Sequence, residues 1–233
     1  MKTVILISAN AEWQAVLPMF MEAGIQQSPV GEYFEAALEG RKVTFFRGGW
    51  GKVSAAATVQ YVIDHFEPDL LINLGTCGGF EGRIERGTLI LVERTIIYDI
   101  LEQMTDSQQA IAHYSTDMDL SWLPDPLPAP VQRGLLVSGD RDIVADDIPM
   151  LVAKYAAVAA DWESGAIAWV AQKNGVKCLI LRGVSDLVGG AGGEAYGDYD
   201  LFTRRTQEIM KALVGQLPQW LHGIQNEVQG SRL

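Results

Sequence analysis

The chain has 233 residues, of which 48% are hydrophobic and 20% charged. That is enough apolar material for a large core, and it excludes a disordered chain. There are 18 Lys and Arg against 29 Asp and Glu, and a net charge of −11 argues against a general nucleic-acid binder but not against a pocket for one nucleoside.

Thr3–Ile7 is a short, continuous apolar run, the pattern of a strand buried on both faces. Glu12 to Ala23 has helical spacing, with Val16, Met19 and Phe20 on one side. Tyr33–Leu38 and Lys42–Arg47 flank Glu39-Gly40-Arg41, which predicts a hairpin. Gly48-Gly49-Trp50-Gly51 opens a helix over Lys52 to His65. Leu70–Leu74 is a second buried strand, and Gly75-Thr76-Cys77-Gly78-Gly79 reads most simply as a tight turn after it. Thr88–Ile97 is a longer strand.

Residues 99 to 132 carry little pattern and end in a stiff proline-rich stretch, Pro124 to Pro130. Gly134–Ser138 is a strand, Asp147–Tyr155 a helix and Ala156–Ala160 a short strand. Ser164–Asn174 is a helix and Lys177–Leu181 a strand. Gly189-Gly190-Ala191-Gly192-Gly193 reads as a flexible loop able to close over a ligand. Ile209, Met210, Leu213, Val214, Leu217 and Leu221 mark an amphipathic C-terminal helix. Alternating strands and helices predict an α/β class, and the early hairpin predicts a mixed sheet. No repeat or internal boundary is evident, so one domain over residues 1–233 is expected.

Two cysteines, Cys77 and Cys178, cannot form a disulfide framework or a structural zinc site. His65, His113 and His222 share no metal-like spacing, and no cofactor is suggested. There is no signal-like stretch after Lys2 and no apolar run of membrane length. A cytoplasmic protein without nucleic-acid or membrane partners is expected.

In open α/β sheets ligands bind at the carboxyl ends of the strands. Five predicted strands end in polar groups: Glu12; Thr76; Ser138-Gly139-Asp140; Asp161 with Glu163; and Arg182, Ser185 and Asp186. Each has a bland reading. Glu12, Asp161 and Glu163 could be helix-start residues, and Ser185-Asp186 could be a turn. Their convergence on one edge is the stronger signal. Trp13, Trp50 and Trp162 lie beside these residues and could be core or pocket wall.

Five motifs in order resemble the nucleoside phosphorylase and nucleosidase superfamily. They are Gly49-Trp50-Gly51-Lys52-Val53-Ser54-Ala55-Ala56, Asn73-Leu74-Gly75-Thr76-Cys77-Gly78-Gly79, Ser138-Gly139-Asp140, Asp161 to Ala168, and Arg182-Gly183-Val184-Ser185-Asp186. The nearest branch is the 5′-methylthioadenosine/S-adenosylhomocysteine nucleosidases. The resemblance implies a three-layer α/β/α fold around a mixed, partly barrel-like sheet, cleavage of a purine nucleoside's N-glycosidic bond, and a homodimer. It implies that Asp186 protonates the leaving base and Glu12 activates water, with Thr76 and Arg182 placing that water. Glu163 would bind the ribose hydroxyls and Trp162 would pack on the sugar. Asp161, Gly78, Ser185, Asp142 and Ile143 would complete the substrate pocket.

The chemistry agrees with those roles. Cleavage makes an oxocarbenium-like sugar and a basic leaving nitrogen, and an acid aimed at that nitrogen accelerates departure by roughly 10²–10⁴. Asp186 must then be buried enough to hold its proton near neutrality. Phosphate as nucleophile would need cationic partners. Asn73 stands where the phosphorylases have Arg, and acidic Glu12 where they have a basic residue. Hydrolysis is therefore expected, although Arg47 lies close enough to the Gly-rich turn to serve a phosphate. A phosphorylase and a non-catalytic nucleoside binder are the alternatives. Asp142 replaces the aromatic that stacks on adenine in that branch, and Asp161-Trp162 replace its Glu-Met.

Overall fold

A computed structural model describes residues 1–230. The apolar run forms β1 (Thr3–Ile7), and α1 (Asn10–Val16) follows. The helical pattern expected to Ala23 stops early: Pro18 tightens residues Leu17–Phe20 into a 3₁₀ turn. β2 (Gln26–Ser28), β3 (Gly31–Leu38) and β4 (Arg41–Arg47) make an antiparallel meander. Leu38 faces Arg41 across a two-residue turn, where Glu39 and Gly40 both have positive φ, 48° and 77°. That turn suits the right-handed twist of a hairpin. α2 (Gly51–Phe66) leads to β5 (Leu70–Phe80).

β5 corrects the turn expected at Gly75–Gly79. The strand runs straight through these glycines, paired with the neighbouring strand from Leu70 to Phe80. The glycines serve close packing: a Cβ on Gly79 would sit 2.7 Å from Ile84 and Val184 side-chain atoms. β6 (Leu89–Ile97), α3 (Ser107–His113), β7 (Ser115–Asp117), β8 (Gln132–Ser138), α4 (Ile148–Tyr155), β9 (Ala159–Asp161) and α5 (Ser164–Lys173) follow. β10 (Lys177–Gly189) is longer than expected and absorbs Arg182, Ser185 and Asp186 as strand rather than turn. β11 (Gly192–Gly193) turns back on it, so part of the predicted loop is a hairpin, and α6 (Tyr199–Gly230) closes the chain.

The sheet has eleven strands. β5, β10, β6, β8 and β9 pair in a closed ring, the barrel. β1, β4, β3 and β2 extend the sheet outward from β5. Strand alternation sorts the core onto two faces. Ile5, Ile7, Leu70, Ile72, Leu74, Leu179 and Leu181 pack with α1 and α6. Val4, Leu6, Leu71, Cys178 and Ile180 pack with α2 and α5. All six apolar positions expected in the last helix are buried, together with Trp220 and Ile224. The proline-rich stretch lies against that helix, where Gly223 approaches Pro124 and Pro128. No helix among the described residues is long and apolar enough to cross a membrane.

Candidate active site

β1, β5 and β10 run parallel and in register, so their carboxyl ends meet. A cavity of 740 Å³ opens there. It is lined by Glu12, Thr76, Gly78, Asp142, Ile143, Asp161, Trp162, Glu163, Ser185 and Asp186. Of the eleven expected site residues, only Arg182 stays behind the wall, fully buried.

Glu12 sits in the third position of α1, and Ala9 before the helix has no side chain able to cap it. Its Oε2 therefore accepts the Ala9 N–H at 3.1 Å. Its Oε1 accepts both the N–H and the hydroxyl of Thr76, at 2.6 and 2.9 Å. Far from being a solvated first-turn residue, Glu12 is 3% exposed.

Arg182 shares the α5 side of the sheet with Asn73 and donates from Nη2 to its Oδ1 at 2.7 Å. The same nitrogen pairs with Asp161 at 2.8 Å, and Nε donates to the Ser164 hydroxyl at 2.9 Å. Nη1 is buried with no hydrogen-bond partner. A Cβ on Gly75 would fall 1.8 Å from that Nη1 and 2.7 Å from Glu12 Oε1. Glycine at 75 is what lets the guanidinium and the Glu12 carboxylate converge. Burial works against the charge of Arg182, but Asp161, Glu12 and Glu163 outweigh it and push its pKa up.

Asp161 lines the cavity, yet its carboxylate is engaged inward. It accepts from the hydroxyls of Ser138, at 2.6 Å, and Ser164 and pairs with Arg182. Its work is to hold the ends of β8 and β9 and the start of α5 together. Glu163 is freer: its one hydrogen bond is from the Gly51 N–H at 3.1 Å. Burial, reinforced by Asp161, pushes its carboxyl up to about 8.

Asp186 lies on β10 and accepts the Ser185 hydroxyl at 2.6 Å. Burial raises its pKa, against the opposing pull of the Ser185 hydroxyl and Arg205. The same hydroxyl lies 3.3 Å from the Cys77 carbonyl, a weaker alternative acceptor for its one proton. Cys77 reaches the cavity, but burial pushes its thiol far up, so it is no nucleophile. Ile143 packs over Gly78, where a Cβ would lie 2.6 Å from Ile143 Cδ1. Asp142 is exposed on the cavity wall.

Trp162 and Trp50 both line the cavity, while Trp13 is wholly core and packs at a tilt against Phe34. Arg47 is committed to Glu32 at 3.1 Å and to Asn10. No cluster of metal-ligating side chains occurs among the described residues. Sequence reading missed Tyr196, Tyr199 and Phe202, which also line the cavity. Their three-residue spacing, running from just after the glycine-rich segment into the first turn of the last helix, was the available signal. Tyr196 donates to the Ile143 carbonyl at 2.9 Å, and burial pushes its hydroxyl up to about 12.

Known proteins share this architecture. A Campylobacter jejuni 5′-methylthioadenosine/S-adenosylhomocysteine nucleosidase superposes with a TM-score of 0.75 at 20% identity, over 94% of this chain and 99% of that one. A futalosine hydrolase of Helicobacter pylori gives 0.76 at 20% identity, over 93% and 97%. In sequence, a 5′-methylthioadenosine/S-adenosylhomocysteine nucleosidase of Marinomonas sp. is 26% identical over 85% of this chain and 92% of its own length. One from Geobacillus kaustophilus is 26% identical over 92% and 97%. The model of a family described as the phosphorylase superfamily matches residues 22–217. That match takes in the barrel and every expected site residue except Glu12, and the chain belongs to the phosphorylase superfamily.

Proposed function

We propose that the protein hydrolyses the N-glycosidic bond of a purine nucleoside of the 5′-methylthioadenosine/S-adenosylhomocysteine type, releasing free base and a ribose derivative. The observation that carries this reading is the pair of carboxylates in one cavity, Glu12 and Asp186, in contrasting settings. Burial raises the pKa of Asp186, which favours the acid form that would protonate the leaving base. Glu12, aligned by Thr76 and Ala9, takes a proton from water as that water attacks the sugar carbon. The unpartnered Nη1 of Arg182, beside Glu12, helps hold the water. Glu163 binds the ribose hydroxyls, and Trp162 covers the sugar. Asp161, Gly78, Ser185, Asp142 and Ile143 shape the rest of the pocket.

Water is favoured over phosphate because Arg47 is paired with Glu32 and is not among the residues that line the cavity, whereas the acidic Glu12 is. The chain works as one catalytic domain in the cytoplasm and as a homodimer. A dimer is supported by a 300 Å³ groove lined by Val53, Ile100, Tyr114 and Trp169, of which Val53 is 81% exposed.

The test is release of free base from 5′-methylthioadenosine, S-adenosylhomocysteine, adenosine, inosine and guanosine, with and without phosphate. Release without phosphate is expected. Release only with phosphate overturns hydrolysis in favour of a phosphorylase, and binding without release overturns catalysis altogether.

A further inference from the structure

Asp186 stands on an irregular piece of strand. Between Val184 and Asp186 the pairing of β10 with β5 slips by one residue, leaving Ser185 as the bulge. A bulge re-aims the side chains around it and leaves backbone groups without ladder partners. The other edge of β10 is also bare here, because β6 pairs only with Leu181–Gly183. β11 covers that edge again only from Val188. The acid and its two chain neighbours therefore fall in a gap on the edge of the barrel.

Side chains fill that gap. Arg205, from α6, donates to the Ser185 carbonyl at 3.2 Å and to Glu194 Oε2 at 2.9 Å. Glu194 Oε2 accepts the Leu187 N–H at 3.2 Å, and the Glu194 N–H returns to the Leu187 carbonyl at 3.0 Å. Arg86, from the connection between β5 and β6, holds both oxygens of Glu194 at 3.0 Å. The bonds land on the residue before Asp186 and on the residue after it. Ion pairs this exposed add little to stability, so their consequence lies in where they hold the strand.

We infer that the Arg86–Glu194–Arg205 cluster is a clamp that fixes the bulged backbone around Asp186, making Glu194 and Arg205 positioning residues for proton transfer to the leaving base. This rests on the reading of Asp186 as the acid. The groups facing Asp186 are the Ser185 hydroxyl, Arg205 from α6, Glu194 and the Ala195 N–H from the glycine-rich connection, Tyr196 beyond them, and Cys77 from β5. Of these, Arg205 favours the ionised carboxylate and Glu194 the protonated form. The two charges act on the acid with opposite sign, so removing either one is readable in the pH profile.

The experiment is a base-release assay of kcat, KM and the pH profile of kcat/KM, with the melting temperature of each variant as a fold check. Glu194→Ala frees the strand and is expected to lower kcat by about tenfold with KM little changed, the mark of misplaced chemistry. Loss of activity requires protonated Asp186 to become scarce, so it is read on the alkaline limb. Glu194→Gln leaves Arg205 uncompensated and should move that limb to lower pH. Arg205→Met should move it to higher pH, and Arg205→Lys should return it toward wild type. Limbs that stay in place, or that move together, overturn the clamp. An inactive Asp186→Asn alongside unmoved limbs overturns the clamp alone. A fully active Asp186→Asn overturns the acid reading and the clamp with it.

Discussion

Glu12 and Asp186 line one cavity, but the chain builds their surroundings from different parts. Glu12 is held at the meeting of β1, β5 and β10, where regular parallel pairing brings Thr76, Asn73 and Arg182 together. Its three hydrogen bonds come from a helix start and from Thr76 inside β5. Asp186 sits one residue past a bulge, and its neighbours are held by side chains from a glycine-rich connection and a helix. The first setting suits a group that must present one lone pair to a fixed water. The second leaves space on the base side, where Asp142, Ile143 and Tyr196 also line the wall. On the proposed reading, water activation is thus anchored in the regular sheet, while protonation of the base and choice of substrate are left to irregular segments.

The strongest way to break this contrast is to neutralise each carboxylate. Asp186→Asn cannot deliver an acidic proton and should lower kcat by roughly 10²–10⁴. Glu12→Gln should cost hydrolysis within the same range but leave nucleoside binding intact, as read by calorimetric titration. Equal turnover in either variant removes that residue from its role.

Gly75 tests whether the water end depends on close convergence. Alanine there would place a methyl 1.8 Å from Arg182 Nη1 and 2.7 Å from Glu12 Oε1. Neither group can retreat, because both are buried and bonded on their far sides. Gly75→Ala should lower kcat by about 10²-fold, the cost of roughly 1 Å of misplacement. Overpacking should also cost about 1–3 kcal/mol of stability in urea unfolding. A variant with normal rate and stability would show that the Arg182–Glu12 approach is dispensable.

Gly75 also marks where the sequence misleads. Five residues containing three glycines look like a turn, but here each missing Cβ makes room for a neighbour across the sheet. The starts of β5 and β10 were legible because each opens with an apolar run, within Leu70–Leu74 and Lys177–Leu181. The full length of β5 and β10 was not, because glycine and polar residues are inserted where the barrel wall becomes the cavity wall. Residues 99 to 132 stayed opaque for another reason. Their elements, α3 and β7, are seven and three residues long, too short for periodicity to show. Arg182 was expected just past a strand but lies within β10, and its place behind Glu12 follows from a sheet register that no local pattern contains.

A smaller effect is expected at the base end. Asp142→Phe puts a ring where the wall now carries an exposed carboxylate. Stacking of one aromatic pair contributes about 0.5–1.5 kcal/mol, so kcat/KM for adenine nucleosides should rise roughly two- to tenfold. A fall instead would mean that the Asp142 carboxylate itself contacts the base.

Glu163 gives the subtlest comparison, because its signature is in stability rather than rate. Folded, its carboxyl keeps its proton up to about pH 8, whereas unfolded it loses it near its ordinary 4.5. Between those values the folded chain binds more protons than the unfolded chain, so stability falls as pH rises. Below 4.5 both states are protonated and the effect vanishes. Glutamine keeps the shape and has no proton to lose. Glu163→Gln should therefore gain on wild type as pH rises from 5 to 8, by at least about 2–4 °C in Tm, the size of one kcal/mol in a chain this long. It should do so while weakening ribose binding, since the amide is a poorer partner for two hydroxyls. A difference in Tm that is flat with pH would mean that Glu163 is already ionised in the folded protein, its charge balanced by Arg182 rather than removed by burial.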